Sequence, residues 1–382
     1  MKEIIYILSI TVLFVCQVFA QSRTLCSLPA HLSENSGLLA GANHTVWMHN
    51  DGGNAAELYQ VDTTGTVLRT IMITNATNVD WEDMTKDASG NVYVGDFGNN
   101  NNNRQNLKIY KIPSPDSILS NTVQAEIISF SYPQQQNYPA QDAEKKYDAE
   151  SLIFFQNQLY IFTKDRTTPH LGYTWVYRIP SQAGQYAAQL IDSFQTQQLS
   201  YVFEVTSAAV SPDGRHLVLL NALGLWLFSD FVGDDFFSAQ SQFISLNNFS
   251  QKEAVGFVDA QNIYISNESS WLGGAQLATL DISVYDNTVL SSTVITASPN
   301  SYQIYPNPID DIIHIKVLAN HSSTIHCSLF DNKGMMLKKM QPQQLIQGVQ
   351  HFSYPMQDLP TGMYYLKIET ETEAHSSKII KL

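Results

Sequence analysis

The chain has 382 residues and a formal net charge of −14, with 15% charged and 11% aromatic residues. This composition excludes a disordered chain of the usual charged kind, and the length is enough for two well-packed domains. The acidic balance argues against nucleic acid and anionic lipid as partners, because binding to phosphate needs clustered Lys and Arg.

The first twenty residues have the pattern of an export signal. Lys2 supplies a short positive end, Ile4–Phe19 is almost wholly apolar, and Val18 and Ala20 occupy the −3 and −1 positions of a cleavage site. The sequence therefore predicts a signal peptide over residues 1–20, with Gln21 as the new N-terminus. An uncleaved membrane anchor is the alternative, but the apolar run is short for a full span.

Cysteine is scarce in this chain. Of Cys16, Cys26 and Cys327, only the last two remain after cleavage, and they lie in different predicted domains. A disulfide scaffold is therefore excluded, and both are expected to be thiols without a functional role. A lipoprotein would be modified at Cys16, but Val15 stands where a small residue is expected.

A shift in charge marks a domain boundary near the end of the chain. From Ser298 onward seven acidic residues balance seven lysines, and the signal peptide is also neutral. All of the excess negative charge therefore lies in residues 21–297. We predict a main domain over 21–297 and a C-terminal domain over 298–382.

Alternating apolar residues in the C-terminal domain predict a small Ig-like β-sandwich. Asp331–Gly334 has the composition of a hairpin turn. The predicted strands lie at Ile312–Val317, Ile325–Phe330, Met335–Leu337, within Asp358–Ile368 and at Lys378–Leu382.

Four landmarks in this domain resemble the C-terminal sorting domain of type IX secretion cargo. They are Tyr305–Pro308, Asp331–Gly334, Leu359–Tyr365 and Lys378–Lys381, in that order. The resemblance implies the type IX export machinery as a partner, removal of the tail, and either release or attachment to surface lipopolysaccharide. The expected location is secreted or at the outer cell surface. The alternative is an Ig-like binding module that stays on the chain.

Residues 21–297 contain a recurring unit, in which a short strand, a polar turn and an apolar strand end in a polar cluster. The spacing between copies is near 50 residues with several strands per unit, which is typical of β-propeller blades. We predict an all-β fold with five or six blades; a many-stranded β-sandwich fits the regular spacing less well. The five copies lie at Ser36–Asp51, Glu82–Asp96, Glu150–Lys164, Ser207–Asn221 and Glu253–Glu268.

The first residue of each copy should face the central axis of a propeller. These residues are Ser36, Glu82, Glu150, Ser207 and Glu253. Three carboxylates brought together are costly unless protonation, a cation or a basic group neutralises them. An oxygen-rich mouth of this kind suits a hard cation, and calcium is the expected one.

The predicted site has three parts. The proposed metal ligands are Glu82, Asp83, Asp96, Glu150, Glu253 and Glu268. Lys164, Arg104 and Arg166 are candidates to hold an anion near the metal. Lys164, Arg104 and Glu150 form the predicted catalytic set for phosphate-ester hydrolysis by a metal-activated water. The wider polar mouth contains His49, Asn50, Asp51, Asp80, Asn99, Asp148 and Asn267. The alternative is that these acids cap turns and hydrogen-bond neighbouring blades.

The main domain also resembles uncharacterised secreted propellers distantly similar to the phytase-like and SdiA-regulated group. The resemblance implies a six-bladed, calcium-binding barrel, some members of which cleave phosphate esters. This chain departs from alkaline phytases because it lacks a dense run of Lys and Arg, so phytate itself is not the expected substrate. The residues that carry the resemblance are His49–Asp51, Asp80–Asp83, Gly95–Asn100, Tyr147–Glu150, Thr163-Lys164 and Asn267-Glu268.

Two functions remain open from the sequence. The first is a calcium-binding, secreted or cell-surface propeller with phosphoesterase-like activity. The second is a non-catalytic surface binding or adhesion propeller that contacts a glycan or a protein. A monomer is expected in both cases.

Overall fold

The computed structural model describes residues 22–197, 200–246, 249–271, 273–285, 301–306, 309, 311–319, 322–331, 336–346, 348–370 and 374–381. The chain divides into two compact units, residues 1–289 and 290–382. The predicted signal peptide and the predicted boundary at 297/298 lie outside the described residues. No helix within the described ranges has the length and apolarity needed to cross a membrane.

The first unit is built almost entirely from strands, as predicted. Short 3-10 helices lie at Ala30–Leu32, Pro115–Ser117, Asp142–Glu144, Phe236–Ser238 and Ser283–Tyr285. The strands, in chain order, are β1 (Arg23–Ser27), β2 (Asn35–Ala40), β3 (Thr45–Asn50), β4 (Glu57–Asp62), β5 (Val67–Ile73), β6 (Trp81–Lys86), β7 (Val92–Asp96), β8 (Lys108–Ile112), β9 (Thr122–Val123), β10 (Glu126–Ser131), β11 (Asp148–Phe155), β12 (Gln158–Lys164), β13 (Tyr173–Pro180), β14 (Gly184–Ala187), β15 (Gln189–Gln195), β16 (Ser207–Val210), β17 (His216–Leu220), β18 (Gly224–Ser229), β19 (Gln240–Ser245), β20 (Lys252–Phe257), β21 (Asn262–Asn267) and β22 (Gln276–Asp281).

These strands form five sheets that are arranged as the blades of a propeller. Their strand orders are β2-β3-β4-β5-β9, β6-β7-β8-β10-β14, β11-β12-β13-β15, β16-β17-β18-β19 and β20-β21-β22-β1. We call the strands that line the axis the inner strands; they are β2, β6, β11, β16 and β20. Each inner strand packs against the inner strands of the two neighbouring sheets, and β20 packs against β2, which closes the ring. The described residues therefore form a five-bladed β-propeller. This agrees with the lower of the two predicted blade counts.

Both faces of a blade are covered by its neighbours, so the two strands of each blade nearest the axis are largely buried. Every residue of β3 and of β7 is buried. One core cluster joins Trp47 and Ile71 of the first blade to Trp81, Val94 and Tyr110 of the second. Burial of apolar surface between blades is thus the main force that holds the ring together.

The ring is closed by strands from its two ends. β1 pairs antiparallel with β22, from Arg23 opposite Thr279 to Ser27 opposite Gln276. The N-terminal strand therefore supplies the outer edge of the last blade. The repeat pattern did not reveal this strand.

The second unit is a small β-sandwich, as the alternation of its sequence predicted. Its two sheets have the orders β23-β24-β28 and β26-β25-β29-β30, with β27 beside β25. Buried side chains such as Ile315, Val317, Cys327 and Leu366 form its core. Its strands are β23 (Ser301–Tyr305), β24 (Ile312–Ala319), β25 (Ser323–Asp331), β26 (Met336–Lys339), β27 (Gln343–Leu345), β28 (Gly348–Pro355), β29 (Gly362–Glu369) and β30 (Ala374–Lys381).

Candidate functional site

A β-bulge near the start of the inner strand places one side chain of each blade at the same end of the ring. The pairing register between the first two strands skips Ser36 in the first blade, Glu150 in the third and Glu253 in the fifth. In the second blade it skips Glu82 and Asp83. Because a bulge re-aims side chains, Ser36, Glu82, Glu150 and Glu253 form a polar mouth around the axis.

In the fourth blade the bulge position is Thr206, and the predicted Ser207 is wrong by one residue. Thr206 donates its backbone N–H to Leu220 O, and Ser207 is also paired opposite Leu220. The Thr206 hydroxyl donates to Lys252 O at 2.7 Å, just as the Ser36 hydroxyl donates to Glu82 O at 2.6 Å. The two hydroxyl side chains thus bind the backbone of the next blade, whereas the other three blades present carboxylates.

Three carboxylates converge on the side of the mouth formed by the first two blades. One ligand oxygen from each of Asp51, Asp80 and Glu82 lies within 4.8 Å of the other two. This spacing suits a calcium ion with oxygen ligands at about 2.3–2.6 Å. We call these three residues the acidic triad.

Two glycines let the backbone approach the acidic triad closely. A Cβ at Gly98 would lie 2.0 Å from Glu82 Oε1 and 2.5 Å from Asp80 Oδ2, and one at Gly52 would lie 2.5 Å from Asp80 Oδ1. Glu82 is only 7% exposed. Across the described residues, no hydrogen bond to the carboxylate of Glu82 or Asp80 is formed. A buried acid without a partner is costly, so these residues fit a cation that would satisfy them.

Carboxyl groups around the mouth hold protons unusually tightly. Burial, reinforced by the Asp51 charge, raises the pKa of Asp80 to about 6. Burial also raises the pKa of Glu253 to about 7 and, with the Glu253 charge, that of Glu268 to about 8. The pKa of Glu82 is raised well above its ordinary value, first by burial and then by Glu150. A bound cation would favour the ionised form of each group.

Two cationic side chains occupy the third-blade side of the mouth. Lys164 Nζ donates to Glu150 Oε1 at 3.1 Å. Arg166 donates from Nε to Asp148 Oδ2 at 2.7 Å and from Nη2 to Glu150 Oε1 at 3.3 Å. Burial lowers the pKa of Lys164, but the Glu150 and Glu253 carboxylates outweigh it, so the pKa is raised and the ammonium stays charged.

The mouth therefore has an acidic side and a charge-paired side. Glu150 lies in the charge-paired part, since it contacts both Lys164 and Arg166, and its pKa is raised by burial although Lys164 opposes the shift. Glu204, which sequence reasoning missed, has an oxygen 3.9 Å from Arg166 Nη1. The only feature of the sequence that points to Glu204 is its position two residues before Thr206, the bulge residue of the fourth blade.

Arg104 lies away from this charge-paired part and is fully occupied elsewhere. Its Nη2 donates to Asp96 Oδ1 at 2.9 Å, its Nη1 to Gly98 O at 2.8 Å and its Nε to Asn106 Oδ1 at 3.2 Å. Asp96 also accepts from the Asp80 N–H through Oδ1, and it is fully buried. Arg104 and Asp96 thus hold the backbone at Gly98 and Asp80, beside the acidic triad, instead of facing a ligand.

Asp83 has a structural role, because its carboxylate forms hydrogen bonds between the inner strands. Its Oδ2 accepts hydrogen bonds from the N–H groups of Leu152 and Ala208 and from the Ser207 hydroxyl, and its Oδ1 accepts from Met84 N–H. It therefore joins the inner strands of the second, third and fourth blades. These bonds use both carboxylate oxygens, so Asp83 is not positioned with the other predicted ligands.

The remaining polar positions mostly organise the loops around the mouth. His49 is fully buried with its ring at 88° to Trp81, and burial lowers its pKa to about 4. Asn99 donates its N–H to Asp148 Oδ1 at 2.6 Å. Asn50 donates its side-chain amide to His31 O, and Asn267 donates to Glu268 O and Gly274 O.

The comparisons with known proteins identify the C-terminal unit. Residues 303–382 match the family described as the secretion system C-terminal sorting domain. The chain therefore carries a type IX sorting domain, and this domain implies export to the cell surface or secretion through the type IX machinery. No match is found among curated proteins.

Solved structures with similar folds are distant in sequence. They include PorZ of the type IX secretion system of Porphyromonas gingivalis, at 13% identity and a TM-score of 0.34 over 91% of this chain and 45% of that one. This chain thus spans less than half the length of PorZ. Another is a PQQ-bound aldose sugar dehydrogenase from Streptomyces coelicolor, at 10% identity and a TM-score of 0.40 over 69% of this chain and 98% of that one. A third is a gluconolactonase candidate, at 9% identity and a TM-score of 0.39 over 69% and 92% of the two chains.

These TM-scores are low, so the likenesses carry no argument about activity. The propeller architecture follows from the sheet order and the closed ring of this chain.

Proposed function

We propose that this protein is an exported five-bladed propeller that binds calcium at the acidic triad, Asp51, Asp80 and Glu82. The observation that carries the proposal is the convergence of three carboxylates beside two glycines. One of them, Glu82, is buried and has no hydrogen-bond partner in the part of the chain that the structure describes. Calcium takes six to eight oxygen ligands, so carboxylate oxygens and water would complete its shell. Glu253 and Glu268 would add to the negative field of the mouth.

The finer proposal is hydrolysis of a phosphate ester at this mouth. Lys164 and Arg166 would hold the anion, and Glu150 would orient both cations through its ion pairs. Arg166 would thus bind the anion in place of Arg104, which the sequence analysis included in the catalytic set. When bound, calcium would supply Lewis-acid activation of the ester. Because carboxylates outnumber cationic side chains here, an anionic substrate should bind only after the metal.

Calcium binding is tested by titration calorimetry of the chelator-treated full-length protein. We expect one site, an affinity loss of about tenfold or more in Asp80→Asn because one charged ligand is removed, and little change in Asp192→Asn. Asp192 is an exposed acid on an outer strand. Absence of calcium binding in the parent protein, or equal loss in both variants, would refute the metal site.

Hydrolysis is tested separately, with p-nitrophenyl phosphate and a panel of sugar phosphates in the presence of calcium. Turnover should depend on calcium and should fall by at least about a hundredfold in Lys164→Met, in which the charge that holds the anion is missing. If calcium binds but no ester is cleaved, the enzyme proposal fails. The protein would then be a non-catalytic surface binding propeller.

A further inference from the structure

A pocket of about 280 Å³ opens between the fourth and fifth blades, next to the polar mouth. It is lined on one side by Lys164, Glu204, Thr206 and Glu253, which belong to the mouth. On the other side it is lined by Tyr201, Phe249 and Trp271. Its volume is at the lower end of the range for small-molecule sites, so it fits a single ring better than a large ligand.

The three aromatic side chains are unusually exposed. Trp271 is 90% exposed, Tyr201 75% and Phe249 47%. The other four tryptophans of the chain are buried or half-buried. Large aromatic side chains are rarely left in water without a function, and here three of them border the same pocket.

The inner wall of the pocket offers groups that can hydrogen-bond to hydroxyls. Glu204 Oε2 is buried and has no hydrogen-bond partner among the described residues, although it lies 3.9 Å from Arg166 Nη1, while Oε1 accepts from the Ser200 hydroxyl. Lys164 Nζ has three N–H donors, and its contact with Glu150 uses one of them. An acceptor and donors thus remain available beside the aromatic rings.

We propose that this pocket binds one ring of a neutral carbohydrate. Aromatic faces carry negative charge density and attract the weakly positive C–H groups of a sugar ring. The sugar hydroxyls would meet Glu204 and Lys164. The charged residues of the lining balance, with Lys164 and Lys252 against Glu204 and Glu253, so the lining has no net charge to select an anionic sugar.

This inference goes beyond the proposed calcium site and does not depend on it. The pocket shares Lys164, Glu204, Thr206 and Glu253 with the mouth but none of the acidic triad. A sugar ring in the pocket would lie beside the polar mouth. If the phosphoesterase proposal also holds, the substrate class would be a sugar phosphate joined to a neutral glycan.

Trp271 provides a direct readout in the full-length protein, because acrylamide should quench its fluorescence far more than that of the less exposed tryptophans. The probes are neutral hexasaccharides of α-1,4-glucose, β-1,4-glucose, β-1,4-mannose and β-1,4-xylose, with a hexamer of galacturonic acid as the charged counterpart. We expect at least one neutral probe to protect Trp271 from quenching.

Two variants and one control complete the test. Tyr201→Ala keeps the reporter and should weaken protection by about tenfold, because one stacking face is lost. Trp271→Ala should abolish binding by calorimetry, and its fold is expected to survive because the side chain is exposed. Leu119→Ala, a fully exposed apolar residue outside the pocket, should bind like the parent protein.

Three outcomes would overturn the inference: no protection by any neutral probe, stronger protection by the galacturonate hexamer, or unchanged protection in Tyr201→Ala. Calcium titration of the same samples separates the two proposals. Calcium binding without sugar protection would refute only the pocket, and sugar protection without calcium binding would refute only the metal site.

Discussion

Gly98 has no side chain at the point where Asp80 and Glu82 approach each other. Its backbone also carries the carbonyl that Arg104 binds at 2.8 Å. The loop is thereby held against the acidic triad. A residue with a Cβ here would displace Glu82 Oε1, which would lie only 2.0 Å away.

We therefore expect Gly98→Ala to weaken calcium binding by about tenfold or more, since the added methyl group displaces two ligand carboxylates. The measurement is calorimetric titration with calcium, together with thermal melting in chelator. Gly274→Ala is the matched control, because a Cβ there meets nothing within 4 Å. Unchanged affinity in Gly98→Ala would mean that the acidic triad does not bind the ion.

The raised pKa values make the metal-free protein sensitive to pH. Glu253 has a pKa of about 7 and Glu268 of about 8 in the folded state, against about 4.3 for an unfolded glutamate. Between these values the folded state holds protons that the unfolded state has released. Stability in chelator should therefore fall as pH rises from about 4.5, by at most roughly 1.4 kcal/mol per pH unit for each group. The contribution of Glu253 should end near pH 7 and that of Glu268 near pH 8.

Glu253→Gln should make this fall shallower, because the amide does not titrate. Urea unfolding at a series of pH values in chelator measures the slope. Glu126→Gln, at an exposed acid paired with Lys111 at 3.8 Å, should leave the slope close to that of the parent protein. A free energy of unfolding that increased with pH in this window would contradict the raised pKa values.

At the scale of elements, Asp83 joins three inner strands that would otherwise be linked mainly by apolar contacts. Its carboxylate satisfies N–H groups of Leu152, Ala208 and Met84, which are all buried or near the axis. Without it these donors would be left without partners. A buried donor without a partner costs about 1–3 kcal/mol.

Asp83→Ala should therefore lower the free energy of unfolding by about 3 kcal/mol or more, and Asp83→Asn should lower it less, because one carbonyl oxygen remains. Urea unfolding measures the loss, with Asp192→Ala as the control at an exposed acid. Calcium affinity should not change in Asp83→Asn. Lost affinity with intact stability would instead make Asp83 a ligand, as the sequence suggested.

The inner strands could be predicted from the sequence, but the bulge of the fourth blade and strand β1 could not. All five inner strands were predicted, because burial of both blade faces leaves an apolar run in each copy. Ser207 was chosen instead of Thr206 because a β-bulge shifts the register by one residue without changing the apolar pattern. β1 was missed because its partner β22 lies at the far end of the propeller, and pairing over that distance leaves no local signal.

The sequence predicts that acids converge at one end of the ring, but it does not predict which of them lie within reach of one another. Glu82 was expected to bind metal, whereas Asp51 and Asp80 were placed only in the wider mouth, although they complete the acidic triad. Asp96 and Arg104 were assigned to the site, but they bind each other. Spacing along the chain brings these residues to one end of the ring, and only loop geometry decides which oxygens meet.

At the scale of the whole molecule, the propeller and the tail differ in net charge. Residues 21–297 hold all of the excess negative charge, and the tail is neutral. The ring is closed by β1 and β22, both within residues 23–281. Nothing in the closed ring requires a strand from the sorting domain.

A chain that ends at residue 297 should therefore keep the melting temperature and calcium affinity of the full-length protein, but it should not reach the cell surface. The sorting domain at residues 303–382 supplies the address that the type IX machinery reads. Expression of both forms in a bacterium with that machinery, followed by surface labelling and periplasmic fractionation, measures the second part. A truncated protein that still reached the surface would show that the propeller carries an export signal of its own. A truncated protein that melted at a much lower temperature would show that the sorting domain contributes to the stability of the propeller.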